Sequence, residues 1–71
     1  MEPAAIKVLA IRRRITLAAE IGLTRIIMEN DSSNLIKDLR GKDEVLADIG
    51  PIIDDCRFLL QAFPFAEVAH V

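Results

Sequence analysis

Thr24-Arg25-Ile26-Ile27-Met28-Glu29-Asn30-Asp31-Ser32-Ser33 changes character at its middle. Residues 24–28 are apolar, partly β-branched and preceded by Gly22, so they read as a short buried strand. Asn30, Asp31, Ser32 and Ser33 all suit a helix N-cap, because their side-chain oxygens can accept from the free N–H groups of a first turn. A strand handing over directly to a helix is the pattern of an α/β fold. Asp31 sits at the handover. As a local feature it reads first as the N-cap of the next helix. Its other reading is a metal-binding carboxylate at the C-terminal end of a parallel strand, where open α/β sheets place their sites.

Downstream of this segment, residues 34–39 form a short helix with Leu35, Ile36 and Leu39 on one side, stopped by Gly41. Residues 42–46 read as a loop. A second helix spans residues 47–62, with Pro51 in its first turns or marking its true start. Its apolar stripe is Ile52, Ile53, Cys56, Leu59 and Leu60. Phe63-Pro64 ends it, and residues 65–71 alternate as a strand. Upstream, Pro3 suits a first helical turn. Residues 4–21 carry apolar side chains at helical spacing, read here as Ile6, Leu9, Ala10, Leu17, Ala18 and Ile21, and Gly22 ends that helix.

The order is helix, strand, helix, helix, strand. Strands joined by a helical crossover pair in parallel, so residues 25–29 should pair with 66–71 and the first helix should cover one face. Two strands alone make a poor sheet, since a parallel pair calls for further strands and for helices on both faces.

At 71 residues the chain is at most one small domain. Hydrophobic residues make up 52%, and the aromatics are only Phe58, Phe63 and Phe65, so the core must be aliphatic. In a chain this size, burial roughly cancels an ordering cost of about 1.5 kcal/mol per residue. The net charge of −2 argues against a tight autonomous nucleic-acid binder, which would carry a basic face. Arg12, Arg13 and Arg14 are consecutive in a helix and fan around it, which fits a solvated flank. Arg14 is awkward there, on the same stripe as Ala10 and Leu17. Asp54 and Asp55 read as a solvated helix face.

The single cysteine, Cys56, forms no internal disulfide and fits a reducing compartment or a small buried hydrophobe. His70 and Cys56, fourteen residues apart, make a weak dyad with no third orienting group, so His70 reads as an ordinary strand residue. No apolar run is long enough to cross a membrane. Residues 1–21 share the amphipathic, Arg-bearing character of a transit peptide, but Glu2, Glu20, Pro3 and the lack of Ser favour a domain helix. The compartment is unknown, with an intracellular one, cytoplasmic or nuclear, favoured. The sequence carries no phosphate-binding glycine loop, dinucleotide fingerprint, Cys/His metal spacing or nucleophile elbow.

Four stretches together resemble one family. Ile6-Lys7-Val8-Leu9-Ala10-Ile11-Arg12-Arg13 is similar to its opening helix. The segment from Ala18-Ala19-Glu20-Ile21-Gly22 through Glu29-Asn30-Asp31-Ser32 is similar to its next strand and turn. Gly50-Pro51-Ile52-Ile53-Asp54-Asp55-Cys56 is similar to its later helix, and Val68-Ala69-His70-Val71 to its final strand. The family is the ribonuclease H-like domain of plant reverse-transcriptase-like and retroelement-derived proteins, and the likeness covers nearly the whole chain.

The resemblance implies a five-stranded mixed sheet, of which residues 1–71 would form a partial domain. Its first three strands and its C-terminal tail would be missing. It implies hydrolysis of the RNA strand of an RNA–DNA hybrid by two Mg²⁺ or Mn²⁺ ions held by four carboxylates. Such ions lie about 3.5–4 Å apart, activating the attacking water and stabilising the leaving oxygen. Only Asp31 matches one of the four carboxylates. The 24-residue interval from Lys7 to Asp31 is the one expected between the family's helix Glu and its Asp, so Lys7 stands at the Glu position. Glu2, the nearest acid, lies before Pro3 and more than a turn away.

Three functions are therefore open. The chain is a family member by descent that does not catalyse as it stands, with no cofactor of its own. Or it is an active hybrid ribonuclease completed by residues outside it. Or it is a binding module without cleavage, for nucleic acid or for a protein. The charge balance weighs against the nucleic-acid form of the third. Losing the neighbour that the family's first strand provides would leave the strand of Ile26 and Ile27 with an unpaired edge. Such edges recruit other chains, so self-association is expected.

Overall fold

The computed structural model describes residues 3–45 and 48–71. The elements are α1 (Pro3–Glu20), β1 (Arg25–Asn30), α2 (Ser33–Arg40), α3 (Gly50–Leu60) and β2 (Phe65–His70). This is the α-β-α-α-β order read from the sequence. β1 and β2 pair in parallel, in a register running from Arg25 opposite Phe65 to Asn30 opposite His70. The radius of gyration is 11.4 Å, close to the roughly 11 Å of a folded domain of this length.

Each helix starts and stops for local reasons. α1 closes on Gly22, whose φ of 78° is the left-handed conformation that a residue with a Cβ resists. The Leu23 N–H donates to Ala18 and the Gly22 N–H to Ala19, both at 3.1 Å, so the last carbonyls are satisfied. α2 runs a residue beyond the expected range at each end. α3 begins at Gly50, with Pro51 marking the true start, and residues 61 and 62 form a turn. Residue 47, the expected start, lies outside the described residues. Gly50 is required there: a Cβ at this position would run into the Val45 carbonyl oxygen.

The core is aliphatic except for Phe63. Val8, Ile11, Ile15 and Ala18 of α1 meet Ile53, Cys56 and Leu60 of α3, with Leu35 and Leu39 of α2, Met28 of β1 and Phe63 in the same cluster. The stripes read for α2 and α3 hold. Of the α1 stripe only Ala18 is buried. Ile6, Leu17 and Ile21 are 54%, 48% and 72% exposed, while Val8 and Ile15 are fully buried. α1 carries two apolar stripes on opposite sides, and both satisfy helical spacing. Arg13 and Arg14 interrupt the side that was read as buried. Val8, Ile11, Ile15 and Ala18 form an unbroken row, and that row faces α3. The awkward Arg14 is thereby resolved, since it is exposed.

β1 is also less buried than expected. Only Met28 is buried, and Ile26 is half-buried against the helices. Ile27 is 47% exposed and Phe65 66% exposed on the opposite face. The helices cover one face of the pair, and among the described residues nothing covers the other.

Candidate functional site

The C-terminal end of β1 brings the sequence's candidate residues together. Asn30 Oδ1 accepts from the Ser32 N–H at 2.8 Å, which turns the chain out of the strand. Ser32, in extended conformation, caps α2: its Oγ accepts from the Leu35 N–H at 3.4 Å. The N-cap is therefore Ser32, and the expectation for Asp31 is corrected. Asp31 lies one residue too early.

The Asp31 carboxylate meets Lys7. Lys7 Nζ lies 3.3 Å from Asp31 Oδ1, bridging α1 to the end of β1. Both side chains are open to water, at 46% and 77% exposure. On β2, His70 Nε2 lies 3.1 Å from the Asp31 carbonyl oxygen, which accepts a bond when that nitrogen carries the proton. His70 thus ties the last residue of its strand to the turn after β1. No second carboxylate among the described residues reaches this point. Among the described residues, no three His, Cys, Asp or Glu side chains gather where they could hold a metal ion. Glu2 lies outside the described residues. The described residues offer one carboxylate here, with an ammonium already on one of its oxygens, and that set does not fit a pair of divalent ions. Mg²⁺ sheds its waters reluctantly and calls for several hard oxygen ligands.

The other charged side chains hold the fold. Arg12 Nη1 lies 3.1 Å from Asp55 Oδ2, joining α1 to α3. Asp55 was read only as a solvated residue, and it is this cross-helix partner. Arg57 is the polar hub of the structure. It donates from Nε to the Asp38 carbonyl at 2.8 Å and from Nη1 to the Asp43 carbonyl at 2.9 Å, and Nη2 also bonds Asp38. These bonds pin the chain after α2 onto α3. Arg40 Nε donates to the Val68 carbonyl at 2.7 Å. Sequence reading missed both arginines, since each acts on a backbone carbonyl remote in the chain and no local pattern marks that.

Cys56 is fully buried beside Val8, its thiol 4.0 Å from the Val8 carbonyl oxygen. Burial pushes the thiol up from 9.0 to about 11, offset in part by the Arg12 guanidinium. This is the inert small hydrophobe of the sequence reading rather than a nucleophile. A shallow groove on the open sheet face, lined by Arg25, Ile27, Phe65 and Glu67, lies away from Asp31. Among the described residues no helix is long and apolar enough to cross a membrane.

Comparison with known proteins is consistent with this architecture. A family model described as reverse transcriptase-like matches residues 5–71, all but the first four positions. No curated protein matches the chain. No solved structure matches it. With the match running through all five elements, the chain belongs to the reverse transcriptase-like family, as a ribonuclease H-like domain.

Proposed function

We propose that these 71 residues carry the part of a ribonuclease H-like domain from its first helix to its last strand, and that they do not cleave RNA–DNA hybrids by themselves. The carrying observation is the contact between Lys7 and Asp31, 24 residues apart in sequence and 3.3 Å apart in space. Two ligands of one metal site must lie within reach of the same ion. The contact therefore supports the assignment of Lys7 to the position where the family has a metal-binding Glu. A cation at that position works against the chemistry. A divalent ion seated on Asp31 would feel the ammonium at roughly 4–5 Å, a repulsion on the order of 1–2 kcal/mol even at the dielectric of bulk water. To use both oxygens it would also have to displace Lys7 from Oδ1.

The motif pattern supports descent from plant, retroelement-derived members of the family. An RNA–DNA hybrid is the partner the family points to. The net charge of −2 works against tight binding, since affinity for phosphate backbones comes from cations that displace condensed counterions. Binding of Mn²⁺ tests the site directly. Titrated into the labelled chain, the paramagnetic ion should broaden Asp31 and Ser32 amide signals no more than those of the exposed Asp43 and Asp54. Selective broadening at Asp31 and Ser32 near one equivalent of Mn²⁺ would overturn the proposal.

A further inference from the structure

The two edges of the sheet differ, and the difference singles out β1. The Thr24 carbonyl accepts from the Phe65 N–H, and the Asn30 carbonyl from the Val71 N–H, both at 3.1 Å. Backbone polar groups alternate sides along a strand, so the even-numbered residues of β1 bond to β2. Arg25, Ile27 and Glu29 therefore turn their N–H and C=O groups to the outer edge. Among the described residues no further strand lies there. By the same alternation, Ala66, Val68 and His70 line the outer edge of β2. There Arg40 from α2 already occupies the Val68 carbonyl. Among the described residues, one edge is blunted by a side chain and the other is bare.

The bare edge is complementary to itself. Arg25, Ile27 and Glu29 put a cation, an apolar group and an anion on the open face at even spacing, and all three are exposed. We propose that β1 pairs antiparallel with β1 of a second copy, about a twofold axis through Ile27. In that register Arg25 lies opposite Glu29 of the second copy, Glu29 opposite its Arg25, and Ile27 opposite its Ile27. On the helix side Ile26 faces Met28 of the second copy. All three outward pairs are of the type that exchanges both N–H···O=C bonds, because all three residues present those groups to the edge. Sliding by two residues sets Ile27 against Arg25 or Glu29, and sliding by one turns outward groups against inward ones. Parallel pairing in register stacks like charges. The contact closes on itself, since each copy uses the same β1 edge.

The test is sedimentation of the 71-residue chain over a wide concentration range. The chain should form a dimer and stop there. Arg25→Glu places two acidic pairs across the axis, and like charges directly opposite are unfavourable, so dimerisation should weaken by about tenfold or more. Arg25→Glu combined with Glu29→Arg restores opposite charges and should restore the dimer. Ile27→Cys should cross-link on oxidation, because directly opposed bonded pairs lie about 5.5 Å apart at Cα, within disulfide range; Cys56 is buried and stays out of the reaction. A monomer at every concentration overturns the proposal. So does open-ended polymer growth, a dimer indifferent to Arg25→Glu, or a folded double variant that stays monomeric. None of these outcomes depends on whether Asp31 binds metal.

Discussion

Ile15→Ala and Leu17→Ala, two residues apart on α1, should have very different effects on stability. Ile15 is fully buried and Leu17 is 48% exposed. Truncating Ile15 removes three buried carbons at about 0.8 kcal/mol each and leaves a cavity between α1 and α3, for a loss of roughly 2–5 kcal/mol. The better helix propensity of Ala returns only a few tenths of that, on the order of 0.4 kcal/mol. Leu17→Ala forfeits at most about half the transfer contribution and opens no cavity, so its loss is about 1 kcal/mol or less. A domain of this size has roughly 4–10 kcal/mol of stability in all, so Ile15→Ala takes a large share. Ile15→Val, at about 0.5–1.5 kcal/mol, keeps the comparison measurable if the alanine variant is mostly unfolded. Denaturant titration at one fixed protein concentration reads all three, with the concentration held because association shifts apparent stability. Losses that are equal, or larger for Leu17→Ala, would refute the orientation of α1.

Two further predictions concern the turn and the core. Ser32→Ala should cost about 1 kcal/mol as a lost N-cap, whereas Asp31→Ala should cost no more than the roughly 0–1 kcal/mol of an exposed ion pair; the reverse order in thermal unfolding would return the cap to Asp31. Cys56 makes stability fall in alkali. Its thiol ionises near 9.0 when unfolded and near about 11 when folded, so the unfolded chain sheds its proton first. Stability is full below about pH 9 and declines toward about pH 11, by on the order of 2–3 kcal/mol at 1.4 kcal/mol per tenfold. Cys56→Ala should flatten that decline relative to the parent chain, and an unchanged slope would show that the thiol is not excluded from water.

The sequence carried the element order and the parallel pairing because both rest on local signals. Gly22, the Asn30–Ser33 cluster and Phe63-Pro64 mark the joints, and α2 and α3 each have one apolar stripe to bury. α1 misled because it has two stripes, and only its contact with Ile53 and Cys56 chooses between them. β1 appeared buried because Ile26, Ile27 and Met28 are contiguous; in a two-stranded sheet with helices on one face, alternation leaves Ile27 in the open. The site was legible as a pair of positions, Lys7 and Asp31, through an interval borrowed from a resemblance. That the ammonium touches the carboxylate, that Ser32 does the capping, and that His70 bonds the Asp31 carbonyl are tertiary facts. No periodicity encodes them.

The most direct test of the central claim is a cleavage assay on a labelled RNA–DNA hybrid, with the chain alone, Mg²⁺ or Mn²⁺ in excess, and Asp31→Asn as control. The account predicts no metal-dependent cleavage by the parent chain, and none by Lys7→Glu, since among the described residues the added acid brings the site to only two carboxylates. Metal-dependent cleavage by the parent chain that disappears in Asp31→Asn would contradict it.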